Sequence, residues 1–121
     1  MNSQLLYGLV MCETDVDGAL RRFCGDETLY CACLIDFLGD PTIEELNRSI
    51  AAQAWDEAFT AAHALKGLAG NMGFVPLFHA VSGLVVLIRA GKLVDIDASF
   101  HEVRRCYKDI CSAIRSGDGA A

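Results

Sequence analysis

Basic residues are scarce in this sequence, with ten Lys and Arg against sixteen Asp and Glu, and the formal net charge is −6. A nucleic-acid-binding protein needs a basic face and an anionic membrane attracts basic segments, so this balance argues against both partners. An apolar run of about 18 residues is also missing, which argues against a transmembrane helix. The start of the chain lacks a charged residue followed by a long apolar core, so we expect no secretion signal and a cytoplasmic location.

Paired cysteine motifs are absent too. The six cysteines are Cys12, Cys24, Cys31, Cys33, Cys106 and Cys111. They form no Cys-x-x-Cys pair, and Cys31 and Cys33 point away from each other if they lie on a helix. In a chain without a secretion signal we expect free thiols that pack as small apolar residues, and a zinc site or a disulfide remains the alternative.

Phosphate-binding glycine loops are also absent from the sequence. The chain contains neither Gly-x-x-x-x-Gly-Lys-Ser/Thr nor a kinase-type glycine loop, so we expect no ATP pocket. Metal ligands are poorly spaced as well, because His63, His79 and His101 are far apart and no His or carboxylate follows His63 by four residues. These absences predict a domain with no cofactor and no metal site.

Amphipathic helical patterns, by contrast, fill the sequence. Hydrophobic residues make up 53% of the 121 residues, enough for the core of one domain over residues 1–121. Apolar residues recur at spacings of three and four. Asp15 and Asp26 read as N-caps, Pro76 suits a first turn, and Gly73 and Gly91 suit helix ends. Five or six helices with short joints favour an antiparallel all-α bundle.

Some segments are less clear in this pattern. Residues 1–13 are either a helical turn packed on the body or a loose leader, and residues 116–121 are expected to fray after a helical body at 14–115. Gly39-Asp40-Pro41 separates either two helices or the halves of one kinked helix. The apolar run 84–88 alone fits a buried strand, but the polar residues around it favour a helix.

The central helix is expected to run from about Ala54 to Met72 and to carry a polar face. On a helical wheel its apolar side chains gather on one side, and His63, Lys66, Gly67 and Gly70 gather on nearly the opposite side. Glycine inside a helix costs about 1 kcal/mol relative to alanine. Two glycines beside one imidazole therefore indicate that a partner surface comes close to the ring.

A surface imidazole at this place has few uses. An imidazole nitrogen carries a lone pair, so His63 can be a nucleophile, a general base or a metal ligand. Metal binding lacks further ligands, and acid–base catalysis needs a concave pocket that a glycine-bared face does not offer. Nucleophilic attack on a phosphoryl group fits best, because Lys66 lies one turn on and can meet the phosphoryl oxygens. Phe59 borders this face as core edge or as an apolar rim for a partner, and a solvated histidine without a function is the plain alternative.

The histidine stretch resembles the signature of histidine phosphotransfer domains. That family carries Ala-His-x-Leu-Lys-Gly, then small residues, then Asn and Gly. This chain has Ala-His-Ala-Leu-Lys-Gly from Ala62, followed by Leu-Ala-Gly-Asn-Met-Gly up to Gly73. The likeness spans about residues 14–115 and includes Arg89-Ala90-Gly91, which is similar to the family's Arg-x-Gly helix end.

This resemblance implies a four-helix bundle, here with one or two extra short N-terminal helices, and a phosphocarrier rather than an enzyme. His63 would accept a phosphoryl group from the aspartyl phosphate of a response-regulator receiver domain and pass it to another receiver aspartate, with a hybrid sensor histidine kinase as a further partner. Lys66 would steady the phosphoryl charge, and Gly67, Gly70 and Phe59 would form the docking surface. Magnesium would be held by the receiver domain.

The chain departs from the family pattern at two places. Leu84-Val85 stands where the family often has Leu-Glu, and Ala54 stands where Asp is common. An exposed Val85-Val86 pair would favour self-association. Two other functions stay open: a helical adaptor that binds a receiver or kinase domain without carrying phosphate, and a metal- or thiol-based sensor that uses the cysteines.

Overall fold

The computed structural model of the chain describes residues 1–119, and over this range its regular elements are all helical. The helices are α1 (Ser3–Met11), α2 (Val16–Arg22), α3 (Glu27–Leu38), α4 (Thr42–Ala51), α5 (Trp55–Met72), α6 (Val75–Ala90), a short 3-10 helix (Leu93–Asp95) and α7 (Ile96–Gly119). The predicted all-α class is confirmed, and the apolar run 84–88 lies inside α6.

The helix boundaries follow from capping side chains and from glycines. Asp15 accepts a hydrogen bond from the Gly18 N–H, and Asp26 accepts one from the Leu29 N–H, both at 3.0 Å. The helices α2 and α3 therefore begin as predicted. At the other end, α5 and α6 stop at Gly73 and Gly91. Their φ angles of 80° and 70° lie in the left-handed region that glycine adopts without a steric cost.

Gly39-Asp40-Pro41 separates two helices and does not kink a single one. α3 ends at Leu38, and α4 begins at Thr42 directly after Pro41. The Thr42 N–H donates to Asp40 Oδ1 at 2.9 Å, so Asp40 acts as a cap for α4. This side-chain hydrogen bond starts a new helix at a place where the sequence pattern left both readings open.

α5 lies between α4 and α6, and α6 packs in turn against α7. The buried side chains of α5, each at most 1% exposed, are Ala58, Ala62, Leu65, Ala69 and Met72. A fully buried leucine or methionine contributes about 1.5–3 kcal/mol. Burial of this apolar face therefore fixes which side of α5 remains at the surface.

The first helix of the chain lies against the last one. α1 packs along α7, where Gly117 lies against Leu5 and the Asn2 amide donates to the Gly117 carbonyl at 3.1 Å. The backbone of residues 116–119 continues α7, and the fraying expected for residues 116–121 stays a prediction. Residues 120 and 121 lie outside the described part of the chain.

All six cysteines are free thiols in this structure. Burial raises the pKa of Cys106 and Cys111, which lowers the thiolate fraction and with it their reactivity. Among the side chains that the structure describes, those of residues 1–117, no three His, Cys, Asp or Glu come together in a way that could hold a metal ion. Within the same range, none of the helices is long and apolar enough to cross a lipid bilayer.

Candidate functional site

His63 lies near the middle of α5 on its exposed face. Its imidazole stacks on the ring of Phe59 one turn earlier, with the ring planes 12° apart and the centroids separated by 6.1 Å. Among residues 1–119, neither imidazole nitrogen has a hydrogen-bond partner within the protein. The stacking restricts the ring's orientation and leaves its nitrogen lone pair free to attack another molecule.

Lys66 lies one turn after His63 and is half-buried. Its Nζ is 5.6 Å from the centroid of the Phe78 ring, which belongs to α6. An ammonium group over an aromatic face is attracted by the negative potential of the ring. The ion pairs found among the side chains of residues 1–117 do not include Lys66, so no carboxylate in this range neutralises its charge.

The two glycines of this face have different surroundings. A Cβ at Gly67 would meet no atom within 4 Å, so the helix surface beside His63 is bare. A Cβ at Gly70 would lie 3.3 Å from two ring carbons of Phe78. The space at Gly67 is open, whereas the space at Gly70 is filled by Phe78 of α6.

Phe59 lies between the histidine and a cation from α6. The guanidinium carbon of Arg89 is 5.0 Å from the centroid of the Phe59 ring, which is half-buried and also stacks with His63. The sequence placed Phe59 at the border of this face as core edge or rim. In the structure the Phe59 ring contacts both His63 and Arg89.

Phe78 and Arg89 lie beside the histidine face, and sequence reasoning did not place them there. Both lie on α6, which runs antiparallel to α5, so that Phe59 meets Arg89 while Gly70 meets Phe78. The periodicity of α5 carries no information about which residues of α6 lie opposite. A search for aromatic and cationic positions in register across the two helices is the signal that would have found them.

The C-terminal end of α5 is held by hydrogen bonds from three earlier segments. The bonds run from the Asp15 N–H to the Gly73 carbonyl (2.8 Å), from the Tyr30 hydroxyl to the Met72 carbonyl (2.9 Å) and from Arg22 Nε to the Asn71 carbonyl (3.1 Å). Burial raises the pKa of Tyr30 to about 12, so its hydroxyl remains a donor. The last carbonyls of a helix lack partners inside the helix, and these bonds supply them.

An apolar pair on α6 and a groove lie beside the histidine face of α5. Val85 is buried and Val86 is 64% exposed, so the pair does not form the exposed apolar patch considered from the sequence. A shallow groove of about 300 Å³ adjoins Gly70 and Phe78, and Arg22 and His79 also line it. The exposed His63 and the bare surface at Gly67 lie outside this groove, and such an open surface suits contact with another protein better than enclosure of a small molecule.

Comparison with known families gives one match. The family model of the Hpt domain matches residues 39–116, which is well over half of the chain. The matched range runs from the joint before α4 into α7 and contains His63, Lys66 and Gly67. Neither the comparison with curated proteins nor that with solved structures finds a match.

Proposed function

The chain belongs to the Hpt domain family, and we propose that it is a phosphorelay intermediate with His63 as the phosphoacceptor. Hpt domains are histidine phosphotransfer modules that carry a phosphoryl group and are not catalysts in their own right. An imidazole nitrogen of His63 attacks the phosphorus of a receiver aspartyl phosphate. The P–N bond forms as the P–O bond to the aspartate breaks. The aspartate of a second receiver domain later accepts the phosphoryl group from His63.

The observation that carries this proposal is the exposed His63 imidazole beside the bare surface of Gly67. A receiver domain must bring its aspartyl phosphate to within bonding distance of the nitrogen, so any side chain at position 67 stands in its way. Phosphoryl transfer depends mainly on positioning and charge, and a fixed nucleophile is what this chain contributes.

Lys66 supplies positive charge next to that nucleophile. Its ammonium is held over Phe78 without a carboxylate partner among residues 1–119, which leaves its donors for phosphoryl oxygens. Magnesium and the remaining charged groups come from the receiver. The partners are accordingly response-regulator receiver domains and a hybrid sensor histidine kinase, and the location is cytoplasmic.

The proposed architecture is the antiparallel four-helix bundle of the family, formed by α4 to α7, and three helices, α1 to α3, precede it where the sequence predicted one or two. The contacts of α5 with α4 and α6, and of α6 with α7, support this arrangement. We further propose that the helices from residue 1 to residue 119 make up one domain, because the buried apolar side chains of α1 to α3 share a core with those of α4 to α7.

The deciding experiment mixes the protein with a receiver domain that carries labelled aspartyl phosphate. We expect label on His63 that is labile in acid and stable in base. His63→Gln should fold normally and take up no label. A folded His63→Gln variant with full uptake would overturn the assignment, and receiver binding without any labelled intermediate would favour the adaptor function instead.

Lys66 is tested by its truncation. Lys66→Ala should slow phosphoryl transfer from the receiver about tenfold, which corresponds to about 1.4 kcal/mol of transition-state free energy. Lys108→Ala is the matched control, because this exposed lysine of α7 has the same charge and lies on a different helix from His63. Equal transfer rates in the two variants would remove Lys66 from the mechanism.

A further inference from the structure

We propose that a basic groove beside α7 binds an acidic α-helix of another protein. The groove has a volume of about 590 Å³ and lies between α7 and the first turn of α4. The side chains that define the basic groove are His101, Arg104, Lys108 and Arg115 of α7 and Ile43 of α4. Its lining residues all come from α4 and α7, so this inference goes beyond the histidine face of α5 and does not depend on phosphoryl transfer.

Positive charge is concentrated at the basic groove although the chain as a whole is acidic. Four of the ten Lys and Arg line it, whereas Glu44 is the one carboxylate among residues 1–117 that does. The formal net charge of the chain is −6, so the groove differs in sign from the protein around it. A charged surface attracts a partner of opposite sign and orients its approach. The groove therefore fits an anionic partner.

The cations of the groove follow one line along α7. Arg104, Lys108 and Arg115 are separated by four and seven residues, and His101 precedes Arg104 by three, so all four lie on one side of the helix. At 1.5 Å per residue this line is about 21 Å long. A second helix with carboxylates at alternate spacings of three and four repeats at the same interval of about 5 Å. Side chains on one face of an extended segment recur at about 7 Å instead, so the spacing favours a helical partner.

Arg104 and Lys108 lack a carboxylate partner in the described part of the chain. The ion pairs among the side chains of residues 1–117 do not include them, and no Asp or Glu lies three or four residues from either. Arg105 shows the contrasting case, since it pairs with Glu102 at 2.6 Å and with Asp109 at 3.1 Å. Arg104 and Lys108 are also four residues apart, where like charges destabilise a helix. Carboxylates of a bound helix would relieve this repulsion.

An apolar floor accompanies the charges. Tyr107 and Ile43 are half-buried and line the groove where α7 faces α4. The Tyr107 hydroxyl donates to the Phe37 carbonyl at 3.2 Å, which restrains the ring. Protein interfaces combine an apolar centre with a polar rim, whereas a nucleic acid binds mainly through its phosphates and would be repelled by the acidic chain. The groove therefore favours a protein helix that carries apolar residues next to its carboxylates.

The test uses a fluorescently labelled synthetic peptide as the probe. Its Glu residues recur at alternate spacings of three and four beside a few Leu residues, and a hydrocarbon staple on the opposite face keeps it helical. A control peptide has the same composition and staple, with its Glu residues distributed around the helix. Fluorescence anisotropy measures binding to the full chain at low ionic strength, because salt screens exposed charge pairs. We expect the striped peptide to bind about tenfold more tightly than the control peptide.

Two double variants locate the binding surface. Arg104→Gln combined with Lys108→Gln should weaken binding of the striped peptide about tenfold, because two charge pairs are lost. Arg21→Gln combined with Lys92→Gln is the matched control, since it also removes one arginine and one lysine, both exposed and both outside the groove. It should bind as the wild type does. Circular dichroism during thermal unfolding confirms that both double variants are folded.

Four results would each overturn the inference. Equal binding by the two double variants would show that the groove is not the binding surface, and equal affinity for the two peptides would remove the helical register. A single-stranded oligonucleotide of the same charge that binds more tightly than the striped peptide would assign the groove to nucleic acid. A dimer of the wild type in sedimentation that is lost with Arg104 and Lys108 would assign it to a second copy of the chain.

Discussion

The middle and the C-terminal end of α5 use glycine in opposite ways. In the middle, Gly67 leaves a surface where an added Cβ would touch nothing within 4 Å. At the end, a Cβ on Gly73 would lie 2.5 Å from the Asp15 carbonyl oxygen. The middle exposes a histidine with free nitrogens, whereas the end has its carbonyls bound by Asp15, Tyr30 and Arg22.

This difference separates the part of the helix that the rest of the chain fixes from the part that is open to solvent. A nucleophile transfers a group efficiently only when its position is defined beforehand. The hydrogen bonds at the end of α5 and the buried face below it define the position of His63, so the exposed face needs no hydrogen bonds of its own.

A methyl group added at the C-terminal end of α5 should have the largest effect on stability. Gly73→Ala should lower the free energy of unfolding by about 2–4 kcal/mol, because alanine is strained at a φ of 80° and its Cβ would collide with the Asp15 backbone. Urea denaturation measures this loss. Gly91→Ala is the control: its φ is 70° and a Cβ there would meet nothing, so it should cost only about 1 kcal/mol. Equal costs would mean that the Asp15 contact does not lock the end.

Alkaline pH should cause the next largest loss of stability, again at the C-terminal end of α5. Burial raises the pKa of Tyr30 from 10.0 to about 12, so the fold favours the neutral hydroxyl. This contribution is complete below pH 10 and is lost as the pH rises through 12, at about 2–3 kcal/mol in total. We expect the urea-derived stability of the wild type to fall over this range more steeply than that of Tyr30→Phe. Burial also raises the pKa of Tyr107, so the variant should keep part of the slope. Parallel slopes would contradict the role of Tyr30.

At neutral pH the loss of one hydroxyl should have a smaller effect. Tyr30→Phe leaves the Met72 carbonyl buried without its donor, and we expect a loss of about 1–2 kcal/mol in unfolding free energy. Tyr107→Phe removes a hydroxyl that donates to the Phe37 carbonyl at 3.2 Å in a half-buried place, so it should cost less. Thermal unfolding of the two variants side by side tests this order, and a reversed order would refute it.

The smallest change in stability should come from the open middle, with the sign reversed. Gly67→Ala should stabilise the protein by about 0.5–1 kcal/mol, because alanine favours the helix and its methyl group has room. It should still accept phosphate from phosphoramidate while transfer from a receiver slows. Gly70→Ala should gain less, because its methyl group presses on Phe78. Unchanged receiver transfer in Gly67→Ala would show that the bare surface is not the docking surface.

Local signals in the sequence account for most of the helix ends and for the exposed histidine face. The Asp15 and Asp26 caps and the Gly73 and Gly91 ends depend on residues within a few positions of each boundary, so they can be predicted from the sequence. The orientation of His63 follows from the periodicity of one helix in the same way.

Contacts between helices were beyond this reasoning. The pairing of Phe59 with Arg89 depends on how far α6 slides along α5, which is decided by the packing of many side chains at once. The packing of α1 on α7 was out of reach for the same reason. A Cβ at Gly117 would lie 2.6 Å from the Leu5 Cα, so glycine allows α1 to approach, and no local sequence pattern indicates this contact.

The packing of α1 along α7 bears on how short a stable fragment of this chain can be. A fragment trimmed to the matched range 39–116 would strip α7 of its covering helix and would discard Asp15, Arg22 and Tyr30, which anchor the last turn of α5. We therefore expect the smallest stable fragment to be larger than the range that the family model matches.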